Sequence, residues 1–275
     1  MASFNSISTD KLAKLLGTEK APVIIDVRDD DDFAADPYLV PASFHRSHAG
    51  VRQWAELYRG QHVVALCQHG GKLSEGVAAW MRHAGGTAEI LEGGIDAWRE
   101  AELPLVPVAS LPNADPSGGS VWVTRSRPKI DRIACPWLIR RFIDPRATFL
   151  YVTAAEVEAV GERFGATPFD IEGVFWSHRG EDCTFDTMVK EFRLSFPALE
   201  HVARIVRAAD TDRCDLEPEA AGLLAVSLGL SRMYSDDLEQ LEAGMTLYDA
   251  LYRWARDATQ EKHDWVSHGG KGKRT

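Results

Sequence analysis

Cysteine is scarce in this 275-residue chain, which contains only Cys67, Cys135, Cys183 and Cys214. No two of them have the Cys-x2-Cys spacing that is typical of structural zinc sites and redox dithiols. This scarcity excludes a small disulfide scaffold. We interpret the four residues as separate thiols in a reducing compartment.

Long apolar runs and an excess of positive charge are also missing. No window approaches the roughly 18 consecutive apolar residues of a transmembrane helix. The first residues lack the basic and apolar segments of a signal peptide, so we expect a cytoplasmic protein with no membrane partner. The formal net charge of −10, from 31 Lys and Arg against 41 Asp and Glu, argues against a general nucleic-acid binder.

Short apolar runs alternate with amphipathic segments in the first hundred residues. The runs 22–27, 62–66 and 87–91 have the length and β-branched content of strands, and the segment from Ser74 has helical periodicity. Alternating strands and helices predict an α/β domain, here a parallel sheet with helices on both faces.

The second half of the chain is richer in predicted helix. Periodicity predicts helices over 197–210, 218–234 and 237–257, and strands over 148–152 and 174–178. A further helix is predicted to begin at Cys135, with Pro136 at its first position, where a missing N–H costs nothing. We therefore predict a helix-rich α/β domain in this half.

A stretch rich in proline, glycine and serine separates the two halves and predicts a linker. The length also predicts two domains, at about 150 residues each. We place the N-terminal domain at 1–107, the linker at 108–120, the C-terminal domain at 121–258 and a disordered polar tail at 259–275.

Cys67 directly follows the predicted strand 62–66 and precedes a glycine-containing loop. Ligands bind at the carboxyl ends of strands in open α/β sheets. The loop amides, a helix N-terminus and the Lys72 ammonium would lower the pKa of the thiol and hold an anionic substrate. The pattern favours nucleophilic attack by a Cys67 thiolate. The alternative is that Cys67 is a small buried residue at the end of a strand, with no chemical role.

Four motifs lie within residues 4–107. They are Ile25-Asp26-Val27-Arg28, Val40-Pro41-Ala42-Ser43, the loop Cys67-Gln68-His69-Gly70-Gly71-Lys72-Leu73, and Leu91-Glu92-Gly93-Gly94-Ile95-Asp96-Ala97-Trp98. Together they resemble a single rhodanese domain. The resemblance implies a sulfurtransferase in which Cys67 takes sulfane sulfur from thiosulfate or a similar donor, holds it as a persulfide and passes it to a thiol or cyanide, with no cofactor. It also implies that Lys72 is catalytic and that the other loop residues, Gln68, His69, Gly70, Gly71 and Leu73, bind the substrate.

The loop departs from the family's common pattern, Cys-Arg-x-Gly-x-Arg-Ser, at Gln68 and Leu73. These departures leave the preferred sulfur donor open. Phosphatases and arsenate reductases on this fold need an arginine at the position of Leu73, because its guanidinium binds a tetrahedral oxyanion through two hydrogen bonds. The sequence therefore argues against a phosphatase. We interpret Asp26 and Arg28 as structural residues that connect loops.

The second half carries a separate set of motifs within residues 121–256. They are Trp122–Arg125, Pro128–Phe142, Pro168–Asp170, Cys183–Phe185, Ala209–Asp212, Gly222–Ala225 and Tyr248–Tyr252. This half is similar to the C-terminal domain of the chromate-resistance ChrB family. The resemblance implies a link to chromate or a related oxyanion. It leaves open a chromate-responsive regulator, in which the rhodanese half is non-catalytic and the basic helix region of the second half contacts operator DNA.

Seven cations and two acids lie between Arg125 and Arg146, in a domain that is acidic overall. The default interpretation is a solvated helix face with ion pairs. A sharper hypothesis is an oxyanion or redox site where a helix N-terminus lowers the pKa of the Cys135 thiol. That site would consist of Arg125, Lys129, Asp131, Arg132 and Cys135.

A second hypothesis for this half is a divalent metal site. His178, Glu181, Asp210 and Asp212 are ligand types for such an ion. Their spacing matches no established motif, and Asp-x-Asp near a helix end is also common in capping. A bound metal would make the C-terminal domain a metal-dependent enzyme, the second alternative to sulfur transfer.

Overall fold

The computed structural model describes residues 5–112 and 118–261. The strands of the N-terminal half are β1 (Ser6–Ile7), β2 (Val23–Asp26), β3 (Tyr38–Leu39), β4 (Ser43–His45), β5 (His62–Leu66), β6 (Thr87–Leu91) and β7 (Val106–Pro107). Its helices are α1 (Thr9–Leu15), α2 (Asp30–Ala35), α3 (Val51–Trp54), α4 (Lys72–His83) and α5 (Gly94–Glu100). Within the described ranges, no helix has both the length and the apolar character to cross a membrane.

The N-terminal half is built on a parallel sheet with the strand order β1-β6-β5-β2-β4. Side chains alternate between the two faces of a strand. In the central strand β5, Val63 and Ala65 join the core beneath α4, whereas Val64 and Leu66 join the larger core that includes residues of α1 and α5. Both faces are therefore covered, and the predicted α/β class is confirmed.

The C-terminal half has a smaller parallel sheet with the strand order β10-β8-β9, surrounded by helices. The strands are β8 (Val121–Arg125), β9 (Thr148–Val152) and β10 (Thr167–Pro168). The helices are α6 (Asp131–Leu138), α7 (Val157–Phe164), α8 (Thr184–Glu191), α9 (Pro197–Asp210), α10 (Ala220–Met233) and α11 (Asp237–Asp257). The helix-rich α/β architecture is confirmed, including the three long helices predicted from periodicity.

The predicted start of a helix at Cys135 is wrong. Helix α6 begins four residues earlier, at Asp131, and Pro136 lies inside it. Proline has no N–H to donate to the carbonyl of Arg132, four residues before it. The hydroxyl of Tyr151 donates to that carbonyl instead, at 2.9 Å. This tertiary hydrogen bond satisfies the group that an interior proline leaves free.

The predicted strand over 174–178 is also wrong. Only a single bridge, between Phe169 and Trp176, is formed there. Trp176 is the buried apolar residue of this segment, and its ring stacks on Phe192 and meets Trp122 edge-on, whereas Phe175 is exposed. A short apolar run does not form a strand where it has no further pairing partner.

The two halves pack against each other through one continuous set of buried side chains. The amide of Ala42 donates to the carbonyl of Phe142 at 2.6 Å. A Cβ atom on Gly17 would lie 2.5 Å from both the Phe142 and the Tyr252 ring, so glycine permits this close approach. The domain boundaries stay a prediction. Residues 113–117 of the predicted linker and 262–275 of the predicted tail lie outside the described residues.

Candidate functional site

Cys67 lies at the carboxyl end of β5, at the point where the chain turns toward α4. Its side chain is almost fully buried, at 5% exposure. The Sγ atom lies 3.3 Å from the hydroxyl oxygen of Ser74 in the first turn of α4. That hydroxyl donates to the carbonyl of Gly71 at 3.0 Å, so it is free to accept from the Cys67 thiol. Ser74 is not among the site residues predicted from the sequence.

The loop that follows Cys67 is held by the start of α5. The amide of Ile95 donates to the carbonyl of Cys67 at 3.0 Å, and the amide of Asp96 donates to that of Gln68 at 3.2 Å. The Asp96 carboxylate accepts from the Gln68 side-chain amide and lies 2.5 Å from Nδ1 of His69. The Gln68 and His69 side chains are therefore positioned by a residue outside the loop.

The remaining loop residues surround the start of α4. Lys72 is exposed at the first position of this twelve-residue helix, and Leu73 behind it is half-buried. Gly71 occupies the N-cap position. A helix N-terminus carries partial positive charge from its free N–H groups. The arrangement therefore places the Cys67 sulfur beside the kind of environment that stabilises a thiolate and attracts an anion.

Asp26 and Arg28 have the structural role that the sequence predicted. Both side chains are fully buried, and the guanidinium lies 2.6 Å from the carboxylate. The same guanidinium donates to the carbonyl of Asp36 at 3.1 Å and to that of Tyr38 at 2.8 Å. The pair thus connects the end of β2 to the start of β3 and to the residues just before it.

A second cluster of chemically active side chains lies at the carboxyl ends of β8 and β10. His178 Nε2 is 3.5 Å from a carboxylate oxygen of Asp131, 3.5 Å from one of Asp170 and 3.2 Å from one of Asp210. Asp131 is fully buried, whereas 42% of the His178 side chain is exposed. Three carboxylates therefore surround one imidazole.

This concentration of charge shifts the pKa values of the cluster. Burial raises the pKa of Asp131 well above its usual range, and the charges of Asp210 and Asp170 add to the effect. Hydrogen bonds to Asp170 and Asp210 raise the pKa of His178 to about 10. The imidazole is consequently protonated at neutral pH when nothing else binds the carboxylates.

Cys135 does not occupy the predicted helix N-cap. It is fully buried within α6, and burial together with the charge of Asp131 raises the pKa of its thiol well above the usual value. The expected lowering of this pKa is wrong, because Cys135 lies inside the helix and desolvation disfavours its thiolate. Burial also raises the pKa of the Cys183 thiol.

The other members of the predicted oxyanion site do not form one pocket. Arg132 and Arg125 lie 3.2 and 3.9 Å from the Asp170 carboxylate, beside His178. Lys129 lines a different cavity, together with Arg127 and Arg232.

Much of the predicted basic segment forms ion pairs, which confirms the default interpretation for those residues. Arg140 pairs with Glu242 at 2.6 Å, and Arg141 pairs with Asp249 at 2.7 Å. Both partners belong to α11. These two arginines therefore tie the segment after α6 to the last helix.

The predicted metal set is only half assembled. His178 and Asp210 come together, but Glu181 and Asp212 are exposed and belong to neither group of neighbouring metal-ligand side chains among the described residues. Glu181 lies in a surface turn, and Asp212 follows the end of α9 with a left-handed backbone. Neither side chain therefore belongs to the group around His178.

Asp131 and Asp170 replace them beside His178. Neither was predicted as a metal ligand. Asp170 directly follows Phe169 at the end of β10, and Arg125 ends β8. The rule that ligands bind at the carboxyl ends of parallel strands points to both positions. With only two residues, β10 is too short to be predicted as a strand from the sequence.

Comparison with known proteins places each half in a family. Residues 8–101 match the model of the rhodanese-like domain, and residues 122–255 match that of the ChrB C-terminal domain. The chain therefore joins a rhodanese-like domain to a ChrB C-terminal domain, as the two resemblances implied. Protein ChrB of Cupriavidus metallidurans is 35% identical over 150 residues, which cover 52% of this chain. The chain spans only 44% of the length of that relative.

Solved structures with similar folds correspond to about a third of the chain. A rhodanese-related protein from Thermoplasma volcanium has 25% identity and a TM-score of 0.33, covering 38% of this chain and 98% of its own. A Saccharomyces cerevisiae homolog of single-domain rhodanese and the Cdc25 phosphatase catalytic domain has 15% identity and a TM-score of 0.30. It covers 35% of this chain and 80% of its own.

Proposed function

We propose that the rhodanese-like domain is a sulfurtransferase with Cys67 as its persulfide carrier. The observation that carries the proposal is the position of the Cys67 sulfur, at the end of the central strand and beside the first turn of α4. A thiol at this position combines access to the positive end of a helix with a hydroxyl neighbour. These are the features that favour a nucleophilic thiolate.

The first step is attack by the Cys67 thiolate on the outer sulfur of thiosulfate. A bond forms between the two sulfur atoms as the sulfur–sulfur bond of thiosulfate breaks, and sulfite leaves with the bonding electron pair. A thiolate or cyanide acceptor then attacks the outer persulfide sulfur. The Cys67 thiolate leaves with the electron pair and is regenerated. These two steps need no external oxidant and no cofactor.

The surrounding residues have defined roles in this scheme. The exposed Lys72 ammonium and the helix N-terminus stabilise the anionic donor and the persulfide. Ser74 can turn its hydroxyl hydrogen toward the Cys67 sulfur once the thiol is deprotonated. Leu73 supplies no guanidinium to bind a phosphate, which supports sulfur transfer over phosphatase activity.

Mass spectrometry of the intact full-length protein after incubation with thiosulfate tests the proposal. We expect the wild type to gain the mass of one sulfur atom and Cys67→Ser to gain none, because serine cannot form a persulfide. Cys214→Ser is the matched control, since Cys214 is the one described cysteine outside the loop that is not buried. Loading of Cys67→Ser, or no loading of the wild type, would contradict the proposal.

We further propose that this sulfur chemistry serves chromate resistance, with a cellular thiol as acceptor. The support is the ChrB C-terminal domain that is fused to the sulfur carrier in one chain. Chromate-sensitive cells that express the wild type should survive chromate better than cells that express Cys67→Ser at the same protein level. Equal survival would separate the resistance function from Cys67.

A further inference from the structure

A compact group of ligand-type side chains lies at the edge of the C-terminal sheet, apart from the proposed sulfur carrier. The ligand atoms of Asp131, Asp170 and His178 all lie within 4.8 Å of one another. They come from α6, the end of β10 and the segment before α8. We propose that these three residues bind a divalent transition-metal cation, with Asp210 within reach as a fourth ligand.

The buried carboxylate of Asp131 has an oxygen available for such an ion. Its Oδ2 atom accepts from the amide of Thr184 at 2.6 Å. Its Oδ1 atom has no hydrogen-bond partner among the described residues, although the side chain is fully buried. A buried carboxylate oxygen without a partner is costly, and a bound cation would remove this cost.

The cations of the cluster are unevenly distributed among its three carboxylates. Arg132 and Arg125 lie beside Asp170, at 3.2 and 3.9 Å. Asp131 and Asp210 are therefore left to share the single imidazole of His178. Two neighbouring carboxylates with one cation between them repel each other in a poorly solvated site. A divalent cation would place positive charge directly between Asp131 and Asp210, with His178 as a neutral ligand instead of an ion-pair partner.

The dimensions of the group suit a small ion. Ligand atoms around a tetrahedral zinc-sized ion are about 3.4 Å apart for bonds of about 2.1 Å. The His178 Nε2 atom lies 3.2 to 3.5 Å from the three carboxylates, and all ligand atoms of the group lie within 4.8 Å, so binding requires only a small contraction. Carboxylates favour Mn²⁺ and Mg²⁺, whereas imidazole favours Zn²⁺ and Fe²⁺. The mixed set therefore indicates the Mn²⁺, Fe²⁺ and Zn²⁺ class.

The group is also open on one side. Asp170 and His178 line a cavity of about 530 Å³, together with Arg125. Water or a substrate oxygen can enter there and complete the coordination of the ion, as at catalytic metal sites. A second group, formed by His201, Glu217 and Glu219, offers similar ligand types. The Glu217 carboxylate already accepts from Arg204 at 2.6 Å, so this second group provides a matched control.

Isothermal titration calorimetry with MnCl₂ on the chelator-treated full chain tests the site. We expect one Mn²⁺ per chain and an upward shift of Tm with Mn²⁺ concentration. Asp131→Asn and His178→Gln should each weaken binding by at least about 100-fold. His201→Gln should bind like the wild type, and so should Cys67→Ser, which separates this site from the sulfur carrier.

The outcomes distinguish the site from a structural ion-pair cluster. Asp131→Asn without metal should be at least as stable as the wild type, because one repelling charge is removed while the shape is kept. If that buried variant fails to fold, the half-exposed His178 provides the second test through His178→Gln. No Mn²⁺ binding by the wild type, or binding that both variants retain, would overturn the proposal. Loss of binding in His201→Gln alone would also overturn it.

Discussion

Replacement of Gly94 by alanine is expected to lower the free energy of unfolding by about 2–5 kcal/mol and to abolish sulfur loading of Cys67. Gly94 has a φ of +62°, a conformation that costs an L-residue roughly 1–2 kcal/mol. Its Cβ atom would also lie 2.1 Å from the carbonyl oxygen of Cys67 and 2.5 Å from the amide nitrogen of Gly70. Both atoms belong to the backbone, so the loop itself has to move.

Urea denaturation and mass spectrometry after thiosulfate treatment measure the two effects of Gly94→Ala. Gly76→Ala is the control, because Gly76 lies within α4 and a Cβ atom there would meet nothing within 4 Å. We expect that control to load sulfur normally and to gain about 0.5–1 kcal/mol of stability from the better helix former. Normal loading of folded Gly94→Ala would show that the loop tolerates displacement.

Local patterns in the sequence were sufficient to predict the strands and helices that bury one or both of their faces. The strand at 62–66 and the helices over 197–210 and 237–257 are found as predicted, because their apolar residues recur at the strand and helix periods. The motif around Gly94 belongs to the resemblance, and the structure gives its physical reason. Glycine there lets α5 begin against the backbone of the Cys67 loop.

Contacts between distant segments could not be predicted in the same way. Asp131, Asp170 and His178 come from separate segments, and only the folded sheet places them together. The interior position of Pro136 depends on a hydroxyl from β9, which local helix rules do not contain. Asp96 contacts Gln68 and His69 from the start of α5. Residue types and family motifs suggested some residues of these sites, but not which distant residues they contact.

Phe142→Ala is expected to lower the free energy of unfolding by about 3–5 kcal/mol and Tm by roughly 6–20 °C. The ring is fully buried between the two halves of the chain. It lies 5.4 Å from the Tyr252 ring and 5.8 Å from the Phe196 ring, measured between centroids, and it contacts the backbone at Gly17. Alanine would leave a cavity at this junction, which the glycine opposite has no side chain to fill.

Differential scanning calorimetry of the full chain distinguishes a shared core from two halves that merely touch. A wild type whose halves share this core should unfold in one transition, and Phe142→Ala should shift it down or split it. Phe164→Ala is the matched control: its ring is 66% exposed, so its stability should change by no more than about 0.5 kcal/mol. An unchanged Tm for Phe142→Ala would mean that the ring contributes little to the junction. Two separate transitions in the wild type would show instead that the sulfur carrier and the proposed metal site lie on independently stable domains.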